Sequence, residues 1–193
     1  MRNMAKKYED FLDLVIYQIY PKSFKDTNGD GIGDILGVIE KLDYLKDLGV
    51  NAIWLCPCYK SPGHDNGYDI ADYRCVAPEY GTMDDMHRLI AEMHKRGMKL
   101  IMDLVPNHTS DEHEWFVRSR RGEEKYRDYY YWFDAPQNDW HSAFGGTAWQ
   151  YDDERGQYYL HSYAVQQPDL NWTNPAVVKE IQDVIDYWVD LGV

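Results

Sequence analysis

One eight-residue passage, the end of a helix running into the start of a strand, occurs twice in this chain with two of its residues changed. Residues 43–50 read DYLKDLGV and residues 186–193 read DYWVDLGV. The glycine ends each helix in a left-handed turn. After the first copy comes Ala52 to Pro57 (AIWLCP), a continuous apolar run suited to a strand of a parallel sheet. Two further runs match it. Val15 to Tyr20 (VIYQIY) precedes Ile35, Val38, Ile39, Leu42, Leu45 and Leu48 at helical spacing, which makes one βα unit. In the second unit, Thr82 and Asp85 form a capping box ahead of Met86, Leu89, Ile90 and Met93, and Gly97 closes the helix. Leu100 to Val105 is a third strand, but its helix is expected only from Asn174-Pro175, carrying Val178, Ile181, Ile185 and Trp188.

About seventy residues separate that strand from its helix, against roughly 2 to 6 in an ordinary βα loop, so an inserted subdomain is expected there. Strand and helix alternation predicts a parallel sheet with right-handed crossovers. The expected division is 1–108 for three barrel strands and two helices, 109–172 for the insert, and 173–193 for the third helix. Three units do not close a barrel, and the second DYWVDLGV copy ends where a fourth strand is expected. The chain therefore reads as the N-terminal part of a longer protein.

The formal charge of −13 argues against nucleic acid or an anionic membrane as partner, since both need a basic face. No run approaches the ~20 apolar residues of a membrane span, and the opening MRNMAKKYEDF lacks the apolar core of a secretory signal. Cys56, Cys58 and Cys75 are odd in number and sit in or near apolar segments, as reduced core thiols do. Cys56-Pro57-Cys58 is not a CxxC redox pair. A cytoplasmic location is expected.

Chemistry-bearing residues gather in three places. In KLIMDLVPNH, Asp103 interrupts an apolar run that ends in Asn107 and His108. A carboxylate buried in a strand needs a partner or a task, and the C-terminal ends of parallel barrel strands are where active sites form. A loop-tying Asp and a satisfied core histidine would give the same pattern. Asp65-Asn66-Gly67-Tyr68-Asp69 follows the second strand and lies on the same rim, though a plain turn explains it equally well. In Asp26-Thr27-Asn28-Gly29-Asp30-Gly31-Ile32-Gly33-Asp34, oxygen-bearing side chains alternate with small ones, as in the first half of an EF-hand loop. Gly37 stands where an EF-hand has its bidentate Glu, so Asp34 would supply the late carboxylate and Ile32 a carbonyl. An acidic turn before a helix is the competing reading.

The insert, 110–172, is dense in aromatics, among them Tyr126, Tyr129, Tyr130, Trp132, Trp140, Trp149 and Trp172. Some must build the subdomain's own core. The excess suits stacking on the C–H faces of sugars, with protein interaction as the competing use.

Assembled in order, VIYQIYPKSF, DTNGDGIGD, DNGYDIADY, DLVPNHTSDEHEWF, FGGTAWQYD and QPDLNW resemble the α-amylase family of glycoside hydrolases, within it the oligo-1,6-glucosidase and α-glucosidase group. The resemblance runs from Val15 to Val193. It implies an α/β fold: the first three βα units of a (β/α)8 TIM barrel, with a domain B inserted between strand 3 and helix 3. It implies that Asp65 and His108 bind hydroxyls of the glucose before the scissile bond. Tyr68 would be that sugar's stacking platform, and Phe144, Tyr163 and Gln167 would line the pocket. It implies a structural calcium ion held by Asp26, Asn28, Asp30, Asp34 and the carbonyl of Ile32. Lys22 stands where the family usually has Arg, and Gly63-His64 where it has an Asn-Asp-like pair.

The family's nucleophile and acid/base fall beyond Val193, so the chain is expected to be inactive alone and to need the rest of the barrel. The implied activity is exo-acting, retaining hydrolysis of short isomaltose-like oligosaccharides with α-1,6 bonds, α-1,4 bonds being the secondary linkage. Trehalose-6-phosphate hydrolases, sucrose-active enzymes and noncatalytic transporter heavy chains, which act as partner subunits, resemble the same pattern.

Overall fold

The structure is a computed structural model that describes residues 12–193. The opening MRNMAKKYEDF, read above for a secretory signal, lies outside the described residues. Strand β1 (Ile16–Ile19) leads through a short helix, α1 (Pro21–Phe24), and the Asx-rich loop into α2 (Ile35–Glu40) and α3 (Leu42–Asp47). Then come β2 (Ala52–Leu55), the paired short strands β3 (Tyr59–Lys60) and β4 (Asp72–Val76), α4 (Met83–Lys95) and β5 (Lys99–Met102). The insert contributes α5 (Glu114–Arg120), β6 (Trp132–Phe133), β7 (Trp149–Asp152) and β8 (Gln157–Leu160), and α6 (Pro175–Leu191) closes the order.

The chain forms two compact units: residues 12–58, 76–103 and 188–193 make the first as far as they are described, and 59–75 with 104–187 the second. In the first unit β1, β2 and β5 pair parallel in that order, with Ile16 opposite Ala52 and Ala52 opposite Lys99. This is the α/β arrangement expected from the alternation. The capping box is formed: Thr82 Oγ1 accepts from Asp85 N, and an Asp85 carboxylate oxygen accepts from Thr82 N.

Three local expectations are corrected. The first helix is two segments, because the Lys41 N–H bonds back to Val38 O in a tightened turn before α3 begins. The third strand stops at Met102 rather than Val105, and Leu104 is exposed. Helix α6 buries Val177, Ile181, Val184 and Trp188, while Ile185 is exposed. Ile181 and Trp188 fall on the buried stripe as expected, but Val177 and Val184 take the places expected of Val178 and Ile185, so the spacing is 4-3-4 instead of 3-4-3.

Gly37 is required by packing. A Cβ there would meet the Lys25 carbonyl oxygen at 2.1 Å. Parallel strands are usually buried on both faces, yet Ile16, Tyr17 and Trp54 are exposed here.

The second unit holds the antiparallel sheet β6-β8-β7. Its core is aromatic. The Phe116 ring lies 5.0 Å from Tyr130, 5.3 Å from Trp132 and 5.2 Å from Tyr159, and Arg155 covers Trp132 at 4.5 Å. Tyr126, Tyr129, Tyr130, Trp149 and Tyr159 are buried, whereas Trp140, Phe144, Tyr151, Tyr163 and Trp172 are exposed. The insert's aromatics thus divide between its own core and its surface.

No described helix is long and apolar enough to cross a membrane.

Candidate functional site

All six residues named for a sugar site belong to the second unit. The loop carrying Asp65 is a tight turn: Tyr68 N donates to Asp65 O, and Asn66 and Gly67 have φ of 52° and 96°. Two successive positive φ values at Asn-Gly are the signature of a type I′ turn. The fully buried Asp69 ties this turn down, accepting from Ser61 Oγ, His64 N and Asp65 N at 2.8 to 3.0 Å. Sequence reasoning gave Asp69 no role of its own; the signal was a second carboxylate four residues after Asp65.

His108 is held from several sides. Tyr73 Oη donates to the Val105 and His108 carbonyls, and residue 108 forms an isolated antiparallel bridge with Asp169. His108 as a whole is 4% exposed. Burial depresses the imidazole pKa below its usual value against the raising effects of the Tyr68 carbonyl and of Asp169, Asp65 and Asp69. The ring is therefore neutral at pH 7.

Gln167, wholly buried, brings the site together. Its Nε2 donates to Asp65 Oδ2 at 2.9 Å and lies 3.0 Å from His108 Nε2, and its Oε1 accepts from Ala164 N. The Tyr163 ring sits 5.2 Å from the His108 ring, and Phe144 6.1 Å from Tyr163. Tyr68 joins through its backbone, its carbonyl lying 3.1 Å from His108 Nε2. One carboxylate and two nitrogen groups converge beside exposed rings. This is chemistry for a neutral polyol: the carboxylate accepts from a hydroxyl, N–H groups donate to its oxygen, and ring faces stack on C–H bonds.

Asn107 and Asp169 lie just behind. Asn107 Nδ2 is 3.0 Å from Asp169 Oδ1 and 3.2 Å from His108 Nδ1. Both also line a cavity of about 420 Å³ with Tyr131, Trp140, Trp149 and Trp172. Asp103 falls in the first unit, where its carboxylate accepts from Trp54 Nε1 at 2.6 Å. It lies just past the end of β5 and is half-buried, so it is not the carboxylate buried within a strand that the sequence led us to expect.

The Asx-rich loop, in the first unit, is closed by its own backbone. Asp26 accepts from the N–H groups of Asn28, Gly29 and Gly31, Asp30 from Ile32 N, and Asp34 from Thr27 N and, as the N-cap of α2, Gly37 N. The Gly29 N–H, foremost among these, lowers the Asp26 pKa. Among the described residues no three His, Cys, Asp or Glu side chains cluster closely enough to hold an ion.

The catalytic-domain model of alpha amylase matches residues 18–193. The chain belongs to the alpha-amylase family. It is 57% identical over 186 residues to an oligo-1,6-glucosidase of Parageobacillus thermoglucosidasius, covering 94% of this chain and 33% of that protein. A glucan 1,6-alpha-glucosidase of Streptococcus pneumoniae is 56% identical over 180 residues, covering 93% and 34%. Among solved structures, a Bacillus licheniformis trehalose-6-phosphate hydrolase with a substitution superposes with a TM-score of 0.91 at 55% identity, covering 94% of this chain and 34% of that one. A variant isomaltulose synthase of Erwinia rhapontici, solved with sucrose, gives 0.90 at 59% identity, covering 94% and 33%. This alpha-amylase family chain spans about a third of the length of the relatives it matches.

Proposed function

We propose that this chain is the glucose-binding third of an exo-acting, retaining α-glucosidase that hydrolyses α-1,6 bonds of short oligosaccharides. The observation that carries the reading is the convergence of Asp65, His108 and Gln167 within 3.0 Å contacts, beside Tyr163. The identity to oligo-1,6-glucosidases over nearly the whole chain supports it. In this reading Asp65 accepts from a hydroxyl of the non-reducing glucose. His108 and Gln167 donate to its oxygens, Tyr68 stacks on the ring, and Tyr163 and Phe144 close the mouth.

Contacts of this kind hold the sugar for displacement by a carboxylate pair about 5 to 5.5 Å apart. We assign that pair to the rest of the protein, and expect residues 1–193 alone to be inactive. The structural neighbours include a trehalose-6-phosphate hydrolase and an isomaltulose synthase. Accordingly we place the choice of leaving group outside this third.

For the Asx-rich loop we propose one structural calcium ion. The donors are all oxygen, as calcium prefers, and a carboxylate oxygen that accepts one N–H keeps a second lone pair. We also propose a cytoplasmic location, which the three free thiols Cys56, Cys58 and Cys75 support.

The test is hydrolysis by the full-length protein containing this chain, assayed on isomaltose, maltose, sucrose, trehalose 6-phosphate and starch. Isomaltose should be cleaved far faster than starch, with glucose released from the non-reducing end. Rapid internal cleavage of starch would refute the exo-acting part, and a preference for trehalose 6-phosphate would reassign the substrate.

A further inference from the structure

The two nitrogens of the buried His108 ring face different chemistry. Nδ1 faces the Asn107 amide nitrogen at 3.2 Å, which can only donate. Nε2 faces the Tyr68 carbonyl oxygen at 3.1 Å, which can only accept. A neutral imidazole carries one N–H. With the proton on Nε2, both contacts are hydrogen bonds and one other, to the donor Gln167 Nε2 at 3.0 Å, is not; with it on Nδ1, the ring accepts from Gln167, but a donor meets the Asn107 donor and a lone pair meets the Tyr68 carbonyl. The surroundings thus select the Nε2–H form, provided that Asn107 keeps its nitrogen toward the ring.

What keeps it there is Asp169. This carboxylate is 6% exposed, and its Oδ1 accepts from Asn107 Nδ2 at 3.0 Å and from Ser162 N at 2.9 Å, while its Oδ2 accepts from Ser162 Oγ. If the Asn107 side chain turned over, its carbonyl oxygen would face the carboxylate. Desolvation raises the Asp169 pKa, and the Ser162 backbone N–H, its hydroxyl and the Asn107 amide act against that rise. Three donors and no acceptor around the group fit the ionised form. Asp169 is 62 residues from Asn107 in sequence, so the link is made only by the fold.

The arrangement has a consequence at the sugar site. Gln167 Nε2 already donates to Asp65 and stands 3.0 Å from His108 Nε2. With Nε2 protonated, the two nitrogens are both donors and do not bond each other. Gln167 keeps a second N–H beyond the one given to Asp65, which suits a hydroxyl that accepts from it and donates to Asp65, and the single Nε2–H of His108 is then shared between that hydroxyl and the Tyr68 carbonyl.

We propose that Asp169 is a positioning residue that, through the Asn107 amide, holds His108 as the Nε2–H tautomer facing the sugar hydroxyl. The proposal deepens the glucosidase reading and rests on it for its kinetic consequence, but the tautomer can be read without turnover. The experiment uses the full-length protein with 15N-labelled histidine, and records long-range 1H–15N correlations of His108 in the wild type, Asp169→Ala, Asp169→Asn and Asn107→Ala. The same proteins are assayed on isomaltose.

The wild type should show one tautomer protonated at Nε2. Asp169→Asn keeps an oxygen acceptor for Asn107 and Ser162 N and should retain that tautomer, with kcat/KM within about threefold of the wild type. Asp169→Ala should give a mixture of tautomers and at least a tenfold lower kcat/KM. Asn107→Ala removes the relay and leaves Asp169 its two donors from Ser162; it should reproduce the mixture even if Asp169→Ala fails to fold. A His108 that stays wholly Nε2–H in Asn107→Ala, or in a folded Asp169→Ala, overturns the proposal. A wild type that does not cleave isomaltose but shows the expected tautomers overturns the glucosidase reading instead.

Discussion

Protonation of His113 should govern part of the acid sensitivity of the second unit. This side chain is the N-cap of α5: its Nδ1 accepts from Trp115 N at 3.0 Å, and its ring packs 4.4 Å from Trp115 and 5.6 Å from Tyr73. It is 6% exposed, and burial pushes its pKa down to about 4 from an ordinary 6.5, with Asp72 opposing the shift and Arg74 adding to it. Between those values the unfolded chain takes up a proton that the folded chain refuses, so stability falls as pH falls and levels off below about 4. The linkage relation gives a loss of about 2 kcal/mol by pH 5 and about 3 kcal/mol by pH 4. Other groups titrate in the same range. The comparison is therefore with His113→Asn, which keeps an N-capping side chain and cannot titrate. Urea unfolding of both proteins at pH 7, 5 and 4, followed by tryptophan fluorescence, should show the wild type losing more stability on acidification by these amounts. Parallel pH profiles, within about 0.5 kcal/mol, would refute the reasoning.

Two further outcomes follow from the packing and the loop. Phe116→Ala empties the space enclosed by Tyr130, Trp132 and Tyr159 and should cost about 3 to 5 kcal/mol, read from the urea midpoint; a loss under about 1 kcal/mol would contradict that ring's central place. Chelation of calcium should lower the melting temperature of the full-length protein without abolishing activity at low temperature, and Asp30→Ala should do the same. An unchanged melting temperature, with no ion co-purifying, would leave the loop as a turn closed by its own N–H groups.

The parallel βα order and both helix caps were legible because each rests on local signals: apolar runs, Thr82 with Asp85, and Asn174-Pro175 ahead of α6. The Asp65 turn was legible for the same reason, since Asn-Gly demands positive φ. The break at Lys41 was not, because the apolar spacing continues unbroken from Val38 to Leu42 and only a tightened backbone turn separates the segments. Periodicity marked α6, yet choosing between Val177 and Val178, or Val184 and Ile185, needs the packing partner, as both are apolar. For the site, motifs pointed to Asp65, His108 and Gln167, but not to the contacts among them, which join residues 59 and 102 apart. Asp69 and Asp169 were hidden differently. Each sits inside a recognised motif, and its role lies in bonds to backbone and amide groups that composition does not reveal.

The central claim, that Asp65, His108 and Gln167 hold the reacting glucose, is tested most directly by kcat/KM on isomaltose for Asp65→Ala in the full-length protein. Asp65 accepts from Gln167 near the protein surface and is not part of the core, so its removal should leave the melting temperature within about 2 °C of the wild type. A hydroxyl contact that tightens in the transition state is worth a few kcal/mol, so kcat/KM should fall by more than about tenfold. Near wild-type kcat/KM in a folded Asp65→Ala protein would contradict the claim and place the glucose elsewhere.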